Sequence, residues 1–340
     1  MTSANTSALA SLKELSARIG ADPLLIQGAG GNTSVKDGAA MWIKASGTQL
    51  VDALTRDIFV PVRWKEIAAA VDNDPDAADK PQAFQLASGM KPSIETCLHA
   101  VLPQPVVLHV HCVDIIAIAM QKNASAQLKA RLGGLNWAFI PYFKPGATLA
   151  AAVARAATPK TDVFILGNHG LIVAAQGVDE AETLLGRVVD CVRTHPILLS
   201  QPMPDAQSLK RVYPNYAPVD ADHPLGFLAR SQARLDLALG GGLFPDQVLF
   251  CGPGLVAIGP REKMPSAAQG QPDPVMVFIR GIGAVLRQNA TDTERAMAKS
   301  VGDVMLRVPE DADLTYITAP DCAALLNWDA EKYRRALNSP

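Results

Sequence analysis

The chain has 340 residues, 49% of them hydrophobic and 19% charged, which is ample core for one large domain or two ordinary ones. Lys and Arg total 31 against 33 Asp and Glu, with no basic run or basic–aromatic stripe, so nucleic acid has no electrostatic footing. Five scattered cysteines without a C-x-x-C pair read as reduced thiols. The first residues lack the pattern of a signal peptide and no apolar run reaches membrane-spanning length, so the expectation is a cytoplasmic protein with no membrane partner.

Leu9, Leu12, Leu15 and Ile19 recur at helical spacing and predict a first helix ending near Gly20. Leu24 to Ile26 reads as a short strand running into the loop Gly28-Ala29-Gly30-Gly31-Asn32. Val35 and Met41 to Lys44 read as strands of a meander, followed by the turn Ser46-Gly47. Residues 85–102 read as a helix entered through Lys91-Pro92-Ser93, and Val106 to His111 as a buried strand. A helix from Ile115, a strand at Phe139 to Tyr142, a helix at Leu149 to Ala156, a hairpin at Val163 to Val173 and a helix at Asp179 to Thr194 complete this part. From Pro196 to Pro224 the composition turns to Pro, Asp, Gln and Ser, the best candidate for a boundary. That divides the chain into residues 1–204 and an extension, 205–340. The extension reads as a helix (Leu228 to Leu239), strands at Val248 to Phe250 and Leu255 to Ile258, and a final α/β unit.

The final unit holds a possible degenerate repeat. Val163-Phe164-Ile165-Leu166-Gly167 is echoed by Val277-Phe278-Ile279-Arg280-Gly281, and Gly170 to Val173, one residue out of phase, by Gly283 to Leu286. Ile282 stands where Asn168-His169 stands in the first copy, so the second carries no metal-ligand set. Shared apolar pattern between two strand–turn–helix units is the alternative.

The chemistry concentrates in the histidines. His109 and His111 lie two apart on a predicted strand and leave the same face, a spacing at which neutral imidazoles can share one borderline metal. His169, in the turn Gly167-Asn168-His169-Gly170, is the natural third ligand. A hydrogen-bonded pair within a sheet is the other reading of His-x-His. Glu95, four residues before His99, is the carboxylate neighbour, although a lone Glu on a helix is usually solvated surface. His223, beside Pro224 in a polar stretch, reads as solvated.

Gly31-Asn32-Thr33-Ser34, the Ser46-Gly47 turn, Pro92-Ser93-Ile94-Glu95 with His99, His109-Val110-His111 and Asn168-His169-Gly170-Leu171 together resemble the class II aldolase/adducin family over roughly residues 8–200. Within that family the chain is most similar to the aldolase part of rhamnulose-phosphate aldolase/dehydrogenase fusions. The resemblance implies a three-layer α/β/α domain with a central mixed sheet, here with a smaller C-terminal α/β extension. It implies His109, His111 and His169 as ligands of a divalent metal, zinc first and manganese or cobalt as substitutes, and Glu95 as catalytic carboxylate. Asn32, Thr33, Ser46, Gly47 and Ser93 would line the pocket for a phosphate or other polar end, and Tyr142 resembles the tyrosine that protonates the aldehyde oxygen in the fuculose-phosphate branch. A homo-oligomer, commonly a tetramer, is implied as well. Ile94 departs from related phosphate-using aldolases, which have a hydroxyl residue there, and this weakens the case for a phosphorylated donor.

The expected function is therefore a metal-dependent lyase acting on a carbohydrate or oxo-acid through an enediolate, with Glu95 moving the proton. Decarboxylation or 4-epimerisation on the same site, a non-catalytic oligomerisation protein, and a Schiff-base aldolase using Lys44 or Lys144 are the competing expectations. The extension is expected to shape the pocket mouth without supplying a ligand.

Overall fold

The computed structural model describes residues 3–197, 209, 213–260, 262–264 and 273–338. Seven strands form the main sheet: β1 (Asn32–Asp37), β2 (Ala40–Lys44), β3 (Phe59–Arg63), β4 (Val106–Val110), β5 (Trp137–Ile140), β6 (Val163–Leu166) and β7 (Gly170–Ala175). Their order is β3-β2-β1-β4-β7-β6-β5, antiparallel throughout except for the parallel pair β5–β6. β4 lies in the middle and is buried along its whole length, which is why it reads as an unbroken apolar run rather than an alternation.

Helices cover both faces. On one side Leu12 and Leu15 of α1 (Ser3–Gly20), Ile115 of α5 (Val113–Ala119), Leu128 of α6 (Ala124–Arg131) and Leu184 of α8 (Val178–Val192) pack on Leu108 and Val110. On the other, Ile67 of α2 (Trp64–Asn73) and Ala78 of α3 (Pro75–Ala78) pack near Met41 and Ile43. Leu98 of α4 (Thr96–Ala100) and Val153 of α7 (Ala147–Ala156) cover Val107 and Phe164 there. The result is a three-layer α/β/α domain. Strand alternation puts His109 on the same face of β4 as Val107, toward α4.

Several elements differ from the sequence expectations. Leu24 to Ile26 is a turn, with the amides of Leu25 and Ile26 both donating to the Asp22 carbonyl at the end of α1. Within 85–102 only Thr96–Ala100 is α-helical. The end of β2 holds the preceding stretch extended, since Ser93 N donates to Lys44 O (3.0 Å) and Ser46 N to Lys91 O (2.8 Å). Val248 to Phe250 belongs to a helix, Pro245–Cys251, whose residues are all buried. An apolar run buried on every side has no period to distinguish helix from strand. The helix expected at 228–239 is two, Pro224–Arg230 and Gln232–Ala238, broken at an extended Ser231. Residues 198–208 and 210–212 of the expected boundary lie outside the described residues.

A second sheet, β8 (Tyr216–Pro218), β9 (Val256–Ile258), β10 (Met276–Ile279) and β11 (Gly283–Arg287), runs in the order β8-β11-β10-β9. Its pairings are antiparallel, antiparallel and parallel, the same order and sense as β4-β7-β6-β5. The two hairpins turn alike. Leu166 pairs with Gly170 and Ile279 with Gly283, so each turn has three residues, and its middle residue is left-handed: Asn168 at φ 55° and Gly281 at φ 72°. One constant offset thus sets His169 opposite Ile282, and the one-residue slip of the sequence comparison disappears.

The extension packs on the main domain. Val113, Ile116 and Met120 of α5 share a cluster with Leu225, Leu228, Val248, Met297 and Val301. Asn168 Nδ2 reaches across to Leu243 O (2.8 Å) and Thr315 O (2.7 Å). Replacing Asn168 by Ala strands those two carbonyls and leaves a Cβ residue without a short polar side chain in the left-handed region. The expected loss of unfolding free energy is roughly 2–4 kcal/mol. Asn168→Gly should recover only the backbone part, and chemical denaturation of the two variants measures the split.

Candidate metal centre

The strand order determines what meets at β4. β1 pairs with it so that Asn32 lies opposite His109, and β7 so that His109 lies opposite Ile172. His111 follows just beyond the strand end, His169 comes from the β6–β7 turn, and Glu95 precedes α4. The ligand atoms of Glu95, His109, His111 and His169 lie within 4.8 Å of one another, all buried. His109 Nε2 is 3.4 Å from Glu95 Oε2, His169 Nε2 is 3.3 Å from Glu95 Oε1, and the Nε2 atoms of His109 and His111 are 3.2 Å apart.

Those separations test whether a metal fits. Ligand atoms about 2.0–2.1 Å from a tetrahedral zinc sit about 3.3 Å from each other. The tautomers agree. His109 Nδ1 donates to Leu171 O at 3.1 Å, and His111 Nδ1 lies 3.0 Å from Asp246 Oδ2, which can only accept. With Nδ1 carrying the proton on both rings, the two Nε2 atoms face each other at 3.2 Å, a separation that a shared cation satisfies. Among the described residues Glu95 Oε1 is buried without a hydrogen-bond partner, as a ligand oxygen would be. The donor set fits a divalent ion.

A chain of hydrogen bonds aims the carboxylate. Ser34 Oγ donates to His99 Nδ1 (2.8 Å), His99 Nε2 donates to Asn32 Oδ1, and Asn32 Nδ2 donates to Glu95 Oε2 (2.9 Å). Burial holds His99 well below the ordinary imidazole range, lowers His109, and brings His169 to about 3, so these rings are neutral at neutral pH. For Glu95 burial opposes ionisation, but the three surrounding imidazoles and the Asn32 amide prevail and hold it at about 2.

The cluster borders a cavity of about 20 Å³, room for about one water. Asn32, Ser46, Gly47, Ser93, Glu95, His111 and His169 line it, and His109 lies fully buried behind them. Ser46 Oγ is buried and has no hydrogen-bond partner among the described residues. Two expected residues are not brought to the lining. Thr33 points to the opposite face of β1 from Asn32, and its hydroxyl meets Ser16 Oγ at 2.7 Å. Tyr142 packs against the core of the extension, its hydroxyl unpartnered, and burial together with Asp321 and Cys322 raises its pKa. His223 is half-buried rather than solvated and caps its own helix, accepting from Leu225 N at 3.2 Å.

Four lining residues escaped the sequence reading in this role: Lys44, Asp246, Glu331 and Arg334. Lys44 is 2% exposed, donates to Ala29 O (3.0 Å) and Thr48 O (2.7 Å), and is brought down to about 7 by burial, with Arg334 adding to the effect. Arg334 grips Asp246 with two nitrogens, at 2.8 and 3.0 Å, and lies 3.4 Å from Glu331. Burial pushes Glu331 up to about 7.

A model of the class II aldolase and adducin N-terminal domain matches residues 14–195. The chain belongs to that family. It is 30% identical over 171 residues to the uncharacterized oxidoreductase YuxG of Bacillus subtilis (strain 168), a match covering 45% of this chain and 24% of that protein. The match thus takes in about a quarter of that curated relative's length. Among solved structures, the N-terminal class II aldolase domain of a conserved Thermoplasma acidophilum protein is 30% identical, covering 54% of this chain and 92% of that one, with a TM-score of 0.48. An aldolase II superfamily protein from Pseudomonas syringae is 18% identical, covering 56% and 74%, with a TM-score of 0.43.

The buried imidazoles have a measurable consequence. An unfolded histidine takes up a proton below about 6.5, whereas folded His99, His109 and His169 do so only at lower pH. The unfolded state then binds more protons, so stability of the metal-free protein falls as the pH drops below about 6.5. Glu331 acts oppositely, with stability lost as the pH rises from the ordinary carboxylate range through about 7, but the three imidazoles outweigh it and His223, also lowered by burial, adds to them. Urea midpoints of metal-free protein should therefore decrease from pH 7 to pH 5. A flat profile would mean that the imidazoles are not buried neutral.

Proposed function

We propose that this chain is a divalent-metal-dependent aldolase, a carbon–carbon lyase, that cleaves a sugar, sugar phosphate or related hydroxy-oxo compound with an anionic end. The observation that carries this reading is the pair of opposed Nε2 lone pairs on His109 and His111, with His169 and Glu95 completing the set. In this reading His109, His111 and His169 hold the ion, most readily zinc, with manganese or cobalt as substitutes. A divalent ion there supplies the Lewis acidity that makes a carbanion beside a carbonyl accessible at neutral pH.

The remaining roles belong to the chain itself. Glu95, ionised and aimed by Asn32, moves the proton to or from the reacting carbon. Ser46, Ser93 and the Gly47 turn, with Lys44 and Arg334 nearby, favour an anionic end of the substrate. Lys44 does not serve as a Schiff-base nucleophile, because two backbone carbonyls occupy its ammonium group. We assign Tyr142 no proton transfer, since its hydroxyl lies away from the cavity. The assembly is a homo-oligomer, for which light scattering should give a mass near four chains.

Purified protein should contain one divalent ion per chain by elemental analysis, and His111→Ala should lose ion and activity together. Glu95→Gln should keep the ion and lose at least about a hundredfold in turnover, the low end for lost acid–base catalysis. A retro-aldol screen over sugar phosphates and hydroxy-oxo acids should yield an aldehyde product. Carbon dioxide without aldehyde would move the same site to decarboxylation, and borohydride trapping of substrate on Lys44 would overturn the metal mechanism.

A further inference from the structure

The matched family domain ends at residue 195, yet one of the three imidazoles is oriented from beyond it. His111 Nδ1 lies 3.0 Å from Oδ2 of Asp246, in the first turn of the helix Pro245–Cys251. The side chains of both are almost fully enclosed, at 6% and 3% exposure. Asp246 does not hang free. Arg334, from the helix Asp329–Leu337, binds its two oxygens at 2.8 and 3.0 Å in a fork.

The backbone is shaped around this contact. A Cβ at Gly30 would come within 2.8 Å of His111 Nδ1 and 2.9 Å of Asp246 Oδ2, so a glycine is needed where the loop passes. His109 has its Nδ1 proton fixed by a main-chain carbonyl of the neighbouring strand. For His111 the Asp246 carboxylate takes the place of that carbonyl.

We propose that Asp246, held by Arg334, is a positioning residue for the metal ligand His111, so that the C-terminal extension is an integral part of the metal centre. This rests on the metal-binding reading above. A neutral imidazole presents Nε2 to a metal only when its proton is on Nδ1, and a carboxylate acceptor both fixes that tautomer and strengthens the ring as a donor. Asp246 has three donors on two oxygens, and an Asn could accept only on one. Asp246→Asn therefore sets its amide NH2 either against Arg334 Nη1 or against both Arg334 Nη2 and His111 Nδ1, and in either case the fork that holds the residue in place is broken.

The test is zinc affinity of the full-length protein by competition with a chromophoric chelator, with ring-¹⁵N NMR of the metal-free protein reporting the His111 tautomer. Asp246→Asn should bind zinc at least about tenfold more weakly, the ordinary cost of losing such a partner, and should lose the single Nδ1–H tautomer. Gly30→Ala, which wedges a methyl group into the contact without removing a charge, should weaken zinc in the same direction. Glu310→Gln, which breaks the extension's Arg234–Glu310 pair of 2.6 Å, should leave zinc affinity unchanged. Zinc affinity within twofold of the parent, or an unchanged tautomer in a folded Asp246→Asn protein, overturns the proposal while leaving the metal reading intact. A parent protein that binds no zinc overturns both.

Discussion

An imidazole can offer Nε2 to a cation only while its proton is kept on Nδ1, and the architecture around β4 answers that requirement. β7 supplies the Leu171 carbonyl to His109, and the same hairpin carries His169 on the three-residue turn before β7. β1, on the other side of β4, sets Asn32 opposite His109 and so aims Glu95 from the far layer. The register of two neighbouring strands thus places three of the four groups and orients a fourth. A slip of one residue in either pairing would turn Asn32 or Leu171 to the wrong position, which ties the site's chemistry to sheet packing.

Much of this was legible in the sequence because it depends on local spacing. Two residues apart on a strand means one face, which brought His109 and His111 together, and a polar turn between two apolar runs singled out His169. Asn32, Ser46, Gly47 and Ser93 lie where the family motifs put them. Thr33 shows the limit of a motif: it stands beside Asn32 in sequence, and strand alternation therefore sends it to the opposite face. Tyr142 rested on a resemblance to one branch of the family, and its half-buried ring packs against the core of the extension. The helix Pro245–Cys251 was unreadable because burial on all sides erases periodicity.

Asp246 and Arg334 were invisible for a different reason. Neither sits in a spaced motif, and their meaning arises only from contacts with His111 and with each other across long stretches of chain. Asp246 precedes a run that reads as a strand, and an arginine among charged residues reads as surface. Nothing local says that both are buried. The extension's sheet meanwhile repeats the strand order and the left-handed turn of the domain that holds the histidines, with Ile282 in place of His169. Shared topology without ligands makes a packing partner, and packing on α5 brings the helix bearing Asp246 to the cluster.

The enclosed charges give the arrangement its direction. Glu95 and Asp246 are both held ionised, while Arg334 is the single permanent cation lining the cavity. Glu331 and Lys44 both titrate at about 7 and with opposite sign, so their charges nearly cancel around neutrality. The charged side chains lining the cavity thus sum to about one net negative charge, an expensive condition away from bulk solvent. A divalent ion held by the histidines and Glu95 would reverse the sign of that charge. The raised pKa of Glu331 follows first from its burial, with the nearby carboxylates of Asp246 and Glu95 adding to it. The burial that makes these carboxylates costly is thus the same condition that a cation at the cluster would relieve.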